Sequence, residues 1–198
     1  MDQNPTQPAF PTGDIRTLRP FEQVELLEVL SSLGSSLSLN SGEPSQILKT
    51  LRIHLRQLIP LRAGAFYLVA PDTAEFRLED FAPAEEHQNI QNAVDRAIDE
   101  GTFAWALRQN RPLLTRSGSG TLILHSIATR SRCLGMFVGL SGDSRPHETD
   151  IGMRLLTIIL GQGAYALENS ALQMRIMRQN TELEQTVATR TSQLEVAL

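Results

Sequence analysis

Few side chains of this 198-residue sequence have the type and spacing that catalysis or metal binding requires. The single cysteine, Cys133, cannot form a disulfide within the chain or a cysteine-based zinc site. Residues 117–120 (Ser-Gly-Ser-Gly) lack the Lys-Ser/Thr pair and the helix start of a phosphate-binding loop, so we expect a plain loop. His147, Glu148 and Asp150 flank an expected helix start, where acidic residues oppose the helix dipole. With no nucleophile–base pair and no paired carboxylates, we predict no catalytic residue, no metal site and no enzymatic activity.

The charge balance and the apolar runs exclude further classes of protein. Eighteen Lys and Arg against 22 Asp and Glu give a formal net charge of −4, whereas nucleic-acid-binding proteins usually carry a basic excess. No apolar run approaches the roughly 20 residues needed to cross a bilayer. Residues 1–20 contain four prolines and no apolar segment typical of a signal peptide. We therefore expect a cytoplasmic protein with no nucleic-acid partner, no membrane span and a flexible, Pro-rich lead-in over residues 1–20.

Helical and strand-like patterns alternate along the rest of the chain. Apolar residues at three- and four-residue steps predict helices over 21–37 and 44–59, and the period then drops to that of strands over 63–70 and 75–82. In the second strand, alternation places Phe76, Leu78 and Asp80 on one face. Helices are predicted over 84–99 and 102–109, and strands from Pro112 and over 121–129 and 132–140, before a helix over 147–198. Hairpin-linked strands with helices before and after them indicate an α+β fold with an antiparallel sheet.

Three segments of the chain, residues 100–114, 121–140 and 150–176, together resemble a GAF domain, the small α+β ligand-sensing module of signalling proteins. Residues 100–114 (EGTFAWALRQNRPLL) resemble a segment of that family that carries two glycines and a proline, with Ala104 in place of the second glycine. Residues 121–140 are similar to its two core strands, and residues 150–176, with Ala-Leu-Glu-Asn, to its last helix. The resemblance covers about residues 21–176. It implies a GAF-like antiparallel sheet flanked by helices, with a sensory domain over 21–170.

The resemblance also implies a small-molecule site between the sheet and residues 84–115. Phe103 and Trp105 lie in that segment, and His125 and Cys133 lie on strands that border it, so these four are the candidate ligand-binding residues. Other interpretations stay open: Trp105 as a cap on the core, His125 as a hydrogen-bonded core residue rather than a haem ligand, and Cys133 as a small buried hydrophobe. The motif of cyclic-nucleotide-binding GAF domains is absent, and the ligand or cofactor is left unknown.

The C-terminal segment has a second resemblance. Residues 181–195 resemble the helical connector that precedes the dimerisation domain of histidine kinases. A helix over 147–198 would be about 78 Å long and would project from so small a domain. We expect residues 171–198 to form a parallel coiled-coil homodimer, because the apolar side chains of a lone projecting helix, its apolar seam, would stay exposed to water. The predicted interface residues are Leu172, Ile176, Asn180, Leu183, Val187 and Leu194.

The spacing of this seam leaves two interpretations of the connector. Two successive four-residue steps, from Leu172 to Ile176 and on to Asn180, form a stutter that changes the winding of a coiled coil. Asn180 and Arg190 weaken the seam, which suits either a helix pair held between two registers or an ordinary spacer.

The sequence therefore predicts the input part of a bacterial signalling protein resembling a sensor histidine kinase. It would bind a small cytosolic ligand and signal through a dimeric helix to an output domain outside this chain. The alternative is a ligand-free GAF-fold module for dimerisation or protein interaction, in which Phe103 and Trp105 fill the pocket.

Overall fold

The structure, a computed structural model, describes residues 31–32, 34–35, 43–118, 120–142 and 146–196. For residues 146–151, 191–192 and 194–196 it describes the backbone alone. The predicted lead-in over 1–20, and most of the helix predicted over 21–37, lie outside the described residues.

From residue 44 onwards the elements follow the predicted order. They are α1 (Pro44–Leu58), β1 (Leu61–Val69), β2 (Phe76–Ala82), α2 (His87–Asp99), α3 (Thr102–Leu107), β3 (Leu113–Ser117), β4 (Gly120–Ala128), β5 (Cys133–Ser141) and α4 (Pro146–Val196), with a short 3-10 turn (Ala84–Glu86) before α2. The prolines at both ends of α1 have the expected effect, because Pro44 is its first residue and Pro60 follows its last turn.

The five strands form one antiparallel sheet in the order β2-β1-β5-β4-β3. Strand β5 lies at its centre and pairs with β1 on one side, Phe137 opposite Phe66, and with β4 on the other, Val138 opposite Leu124. The predicted α+β class with a GAF-like antiparallel sheet flanked by helices is confirmed.

Helices cover both faces of the sheet, and each face forms its own apolar layer. The α1/α4 layer contains Ile47, Leu48, Leu51, Leu55, Phe66, Ile123, Ile127, Phe137, Leu156, Ile159, Leu160, Ala164 and Leu167. The α2/α3 layer contains Ala63, Ala65, Tyr67, Ile90, Ala93, Val94, Ala97, Phe103, Ala106, Leu122, Leu124, Met136, Val138 and Leu140. Strands β1, β4 and β5 contribute alternate residues to the two layers, as the period of two in a strand requires.

One sequence prediction about β2 is wrong. Phe76 and Leu78 pack against the α2/α3 layer as expected, but Asp80 lies on the other side, where its Oδ2 is 2.7 Å from Nε of Arg52 on α1. The pairing register of β1 with β2 shifts between Phe66 and Tyr67, so that Asp80 lies opposite Phe66. An irregularity of this kind reverses the alternation beyond it.

Helix α4 belongs to the domain for only part of its length. Its buried side chains include Met153, Leu156, Ile159, Leu160 and Leu167, and among the side chains that the structure describes the last buried one is Ser170. Every residue from 171 to 190 is exposed. The helix continues for 26 residues beyond Ser170, about 39 Å at 1.5 Å per residue, without interruption.

Candidate functional site

The α2/α3 layer is the region in which the sequence predicts a ligand. Gly101 separates α2 from α3 with φ of 74°, a left-handed conformation that glycine adopts without strain. Thr102 then donates a hydrogen bond from Oγ1 to the carbonyl oxygen of Ala97 at 3.0 Å, which fixes the start of α3 against α2. On β1, Ala63 and Ala65 lie in this layer with Ala93 and Ala97 of α2, and such small side chains allow helix and sheet to approach closely.

Side chains fill this layer around Phe103. The ring of Phe103 is buried and meets the ring of Phe76 edge to face, with the ring centroids 5.3 Å apart. Trp105, two residues further along α3, is 46% exposed, so its indole is neither a core residue nor an enclosed pocket wall in this conformation. Phe103 thus lies where a ligand is expected, and Trp105 is exposed on the same helix.

Tyr67 is a candidate that the sequence analysis did not single out. Its side chain is 6% exposed in the α2/α3 layer, and no described group pairs with its buried hydroxyl oxygen. Burial raises the pKa of Tyr67, and the carboxylate of Asp95 on α2 adds to the rise, so the hydroxyl keeps its proton and can donate it. Alternation along β1 from Ala63 and Ala65 predicts the face of Tyr67 once the register is known.

His125 lies on the opposite face of the sheet from Phe103. It is 1% exposed, and its Nδ1 donates a hydrogen bond to the carbonyl oxygen of Ser126 at 2.7 Å. Its Nε2 lies 3.1 Å from Oγ1 of Thr157 on α4. Burial lowers the pKa of His125, and the bond to Ser126 offsets only part of that effect. These are the features of a hydrogen-bonded core histidine, and a role in ligand binding stays a prediction.

The interpretation of Cys133 as a small buried hydrophobe is wrong. The residue is exposed, because it is the first residue of β5 and pairs with Ala128 at the end of the sheet, beside the turn that joins β4 to β5. Its Sγ lies 3.5 Å from the carbonyl oxygen of Gly135, and desolvation raises the pKa of the thiol. A raised pKa disfavours the nucleophilic thiolate.

The structure therefore does not bring the four predicted ligand-binding residues together. Phe103 shares a layer with Tyr67, whereas Trp105 and Cys133 are exposed and His125 is buried on the other face. A cavity of about 60 Å³ lies in the α1/α4 half of the molecule, lined in part by Ile59, Ile123 and Met153. It is well below the roughly 300 Å³ of a small ligand pocket.

The fold resembles several solved structures. A GAF domain assigned to a sensor histidine kinase of Pseudomonas syringae pv. tomato superposes with a TM-score of 0.62 at 13% identity, over 80% of this chain and 96% of that one. The chain has the GAF fold. The GAF domain of the potassium sensor histidine kinase KdpD from Escherichia coli is similar at a TM-score of 0.52 and 16% identity, over 75% and 97%.

The fold also resembles that of a transcription factor. The N-acylhomoserine-lactone-dependent LuxR-family protein CepR2 of Burkholderia cenocepacia has a TM-score of 0.54 at 12% identity, over 72% of this chain and 94% of that one. No protein-family model and no curated protein matches the sequence. At these identities the likeness is one of fold.

The predicted connector residues of this GAF-fold chain lie on the projecting part of α4. Leu172, Ile176, Leu183 and Val187 are between 49% and 63% exposed, and Asn180 is exposed among them. The side chain of Leu194 lies outside the described residues. Two further apolar residues at heptad spacing before Leu172, Ile158 and Tyr165, are 43% and 49% exposed, so the exposed seam begins inside the domain.

Within the described ranges, no three side chains of His, Cys, Asp or Glu come together as metal ligands would. None of the helices in that part of the chain has both the length and the apolar character that a bilayer span requires.

Proposed function

We propose that this GAF domain is a cytoplasmic sensory input module that binds a small molecule and signals through a dimeric helix to an output domain. The supporting observation is that α4 is one continuous helix with two environments. Residues up to Ser170 pack in the core, and beyond it the helix exposes Leu172, Ile176, Leu183 and Val187. A rigid helix that starts in the core carries any displacement there outwards, and a second copy of the chain would cover its apolar side chains.

A histidine kinase is the output that we propose. Two of the similar solved structures come from sensor histidine kinases, and the sequence after residue 180 resembles the connector of such kinases. We place the division between sensory domain and connector at residues 170 and 171, next to the last buried side chain of α4.

Sedimentation of two matched double variants tests the dimer. Leu183→Asp with Val187→Asp puts two carboxylates on the apolar seam, and we expect a monomer or a much weaker dimer. The control, Gln185→Asp with Thr189→Asp, adds the same charge at the same spacing about 200° around the helix, where it should leave the dimer intact. All four positions are exposed, so these substitutions should not destabilise the domain. Equal effects of the two pairs, or a monomeric parent chain, would rule out this interface.

The unpartnered hydroxyl of Tyr67 supports the ligand part of the proposal. A buried hydroxyl without a partner costs roughly 1–3 kcal/mol, and an acceptor atom of a ligand in the α2/α3 layer would remove that cost. We propose that Tyr67 and Phe103 are the main ligand-binding residues of this layer, that Trp105 borders its entrance, and that His125 and Cys133 act indirectly.

Native mass spectrometry of the chain purified from cells tests this part. We expect a reproducible additional mass on the parent chain that is lost in Tyr67→Phe and kept in Tyr165→Phe, since Tyr165 is half exposed on α4. An additional mass that survives Tyr67→Phe would place the ligand elsewhere.

A ligand-free dimerisation module is the second candidate. The packing of Phe103 on Phe76 supports it, because side chains of the protein already occupy the place of a ligand. Under this alternative the purified chain carries no additional mass, and the dimer is independent of small molecules.

A further inference from the structure

Two neighbouring residues of β4 make side-chain hydrogen bonds to opposite layers. Ser126 is 4% exposed, and its Oγ donates to the carbonyl oxygen of Gln109, just beyond α3, at 2.9 Å. His125 is 1% exposed and bonds to Thr157 of α4 on the other face. Successive strand residues point to opposite faces, so one short stretch of β4 is tied both to the α3 segment and to the output helix.

The hydroxyl of Thr157 lies within hydrogen-bond distance of two acceptors. The Nδ1 of His125 faces the carbonyl oxygen of Ser126, which can only accept, so Nδ1 carries the proton of the neutral ring. The Nε2 is then an acceptor for the Thr157 hydroxyl at 3.1 Å. The same hydroxyl lies 3.2 Å from the carbonyl oxygen of Met153, one turn earlier in α4. It has one proton, and it donates that proton either to the sheet or to its own helix.

We propose that residues Ser126 and His125 of β4 couple the α3 segment to α4. When the Gln109–Ser126 bond is lost, β4 loses one restraint at Ser126, the His125–Thr157 bond weakens, and the Thr157 hydroxyl turns to Met153. A hydrogen bond weakens steeply with misalignment, so these polar contacts respond to small changes in the position of α4 against the sheet. The signalling meaning of this coupling rests on the proposed function, but the coupling itself belongs to the ligand-free chain.

Because of the position of Thr157, the coupling affects most of the length of α4. From Thr157 the helix runs 39 residues to Val196, and the exposed seam that starts at Ile158 lies along that length. A change in the position of α4 against the sheet at Thr157 therefore changes the orientation of the exposed apolar residues.

Amide hydrogen exchange of the full chain without added ligand tests the proposal. Thr157→Val removes the hydroxyl and keeps the shape, and we expect exchange over residues 102–109 to rise about fivefold, at the lower end of coupling between protein sites. Ser126→Ala should raise exchange over residues 153–161 to a similar degree. Thr157→Ser keeps the hydroxyl and should exchange at parent rates over 102–109. Thr186→Val, which removes the hydroxyl of an exposed threonine bonded to Glu182 on the same helix, is the matched control.

Each result decides the question. Reciprocal effects of Thr157→Val and Ser126→Ala, with parent rates in Thr157→Ser and Thr186→Val, support the coupling. Unchanged exchange over 102–109 in Thr157→Val, or an equal rise in Thr157→Ser, overturns it. A rise spread equally over β1 indicates global opening and also overturns it. A chain that carries no ligand mass yet shows reciprocal exchange would refute the ligand part of the proposed function and leave the coupling intact.

Discussion

Gly161 and Gly163 lie two residues apart on α4, and the same substitution should have opposite effects at the two positions. A Cβ added at Gly163 would lie 2.8 Å from Cδ2 of Leu51 on α1, and closer still to its Cδ1. A Cβ added at Gly161 would meet no atom within 4 Å. Leu51 is 0% exposed in the α1/α4 layer, so its methyl groups cannot move without displacing their neighbours.

Two free energies compete in Gly163→Ala. Replacing glycine by alanine inside a helix stabilises it by about 1 kcal/mol. Overpacking a buried contact costs about 1–3 kcal/mol. The clash is severe and Leu51 is confined, so the upper part of that range, about 2–3 kcal/mol, applies, and Gly163→Ala should lower the free energy of unfolding by about 1–2 kcal/mol. Gly161→Ala gains the helix term alone and should raise it by about 0.5–1 kcal/mol.

Urea unfolding of the two variants and the parent chain measures these changes. The helix term is common to both variants, so the difference between them, about 2–3 kcal/mol, isolates the contact between α1 and α4. If both variants gain stability equally, the two helices are further apart than this structure has them. That result would refute the close contact of α4 with Leu51.

Three further changes test the site and its supports. Burial holds the pKa of His125 below its unfolded value of about 6.5, so the unfolded chain binds more protons and stability falls as the pH drops below about 6.5. In urea unfolding, His125→Gln should flatten this pH dependence. Tyr67→Phe should raise the melting temperature of the ligand-free chain by removing an unpartnered hydroxyl worth about 1 kcal/mol, with no change in Tyr165→Phe. Glu168→Gln weakens the contacts of Oε1 with Ser131 (2.9 Å) and Arg132 (3.3 Å), and it should lower the free energy of unfolding in urea by about 0.5–1 kcal/mol. Glu182 forms an exposed pair with Arg178, so Glu182→Gln should leave the free energy of unfolding unchanged.

The order of elements was predictable because their boundaries carry strong local signals. Pro44 and Pro60 delimit α1, and Gly101 separates two helical patterns at a left-handed residue. The face of Asp80 was not predictable, because the register shift between Phe66 and Tyr67 depends on how β1 and β2 pair. A local pattern holds no information about such an irregularity.

The site was harder to predict than the fold because β4 is buried on both faces. The side chains of Leu122, Ile123, Leu124 and Ile127 are all apolar, so no alternation indicates which face His125 takes. Only the packing of α4 assigns that face. The partners of Ser126 and Thr157 depend on the same packing, and the sequence alone did not single them out.

The filled α2/α3 layer sets a condition on any ligand that enters it. Phe103 is buried against Phe76, and exposing a phenylalanine side chain costs roughly 1.5–3 kcal/mol. A ligand in this layer has to move Phe103 and recovers that cost only by burying its own apolar surface and pairing with the Tyr67 hydroxyl. Its apparent affinity is then lower than its intrinsic affinity by roughly 10- to 150-fold, the factor that corresponds to this cost. Phe103 lies on α3, and the carbonyl oxygen of Gln109 just beyond α3 is hydrogen-bonded to Ser126 of β4. The movement that admits a ligand would therefore also change the position of α4 through β4.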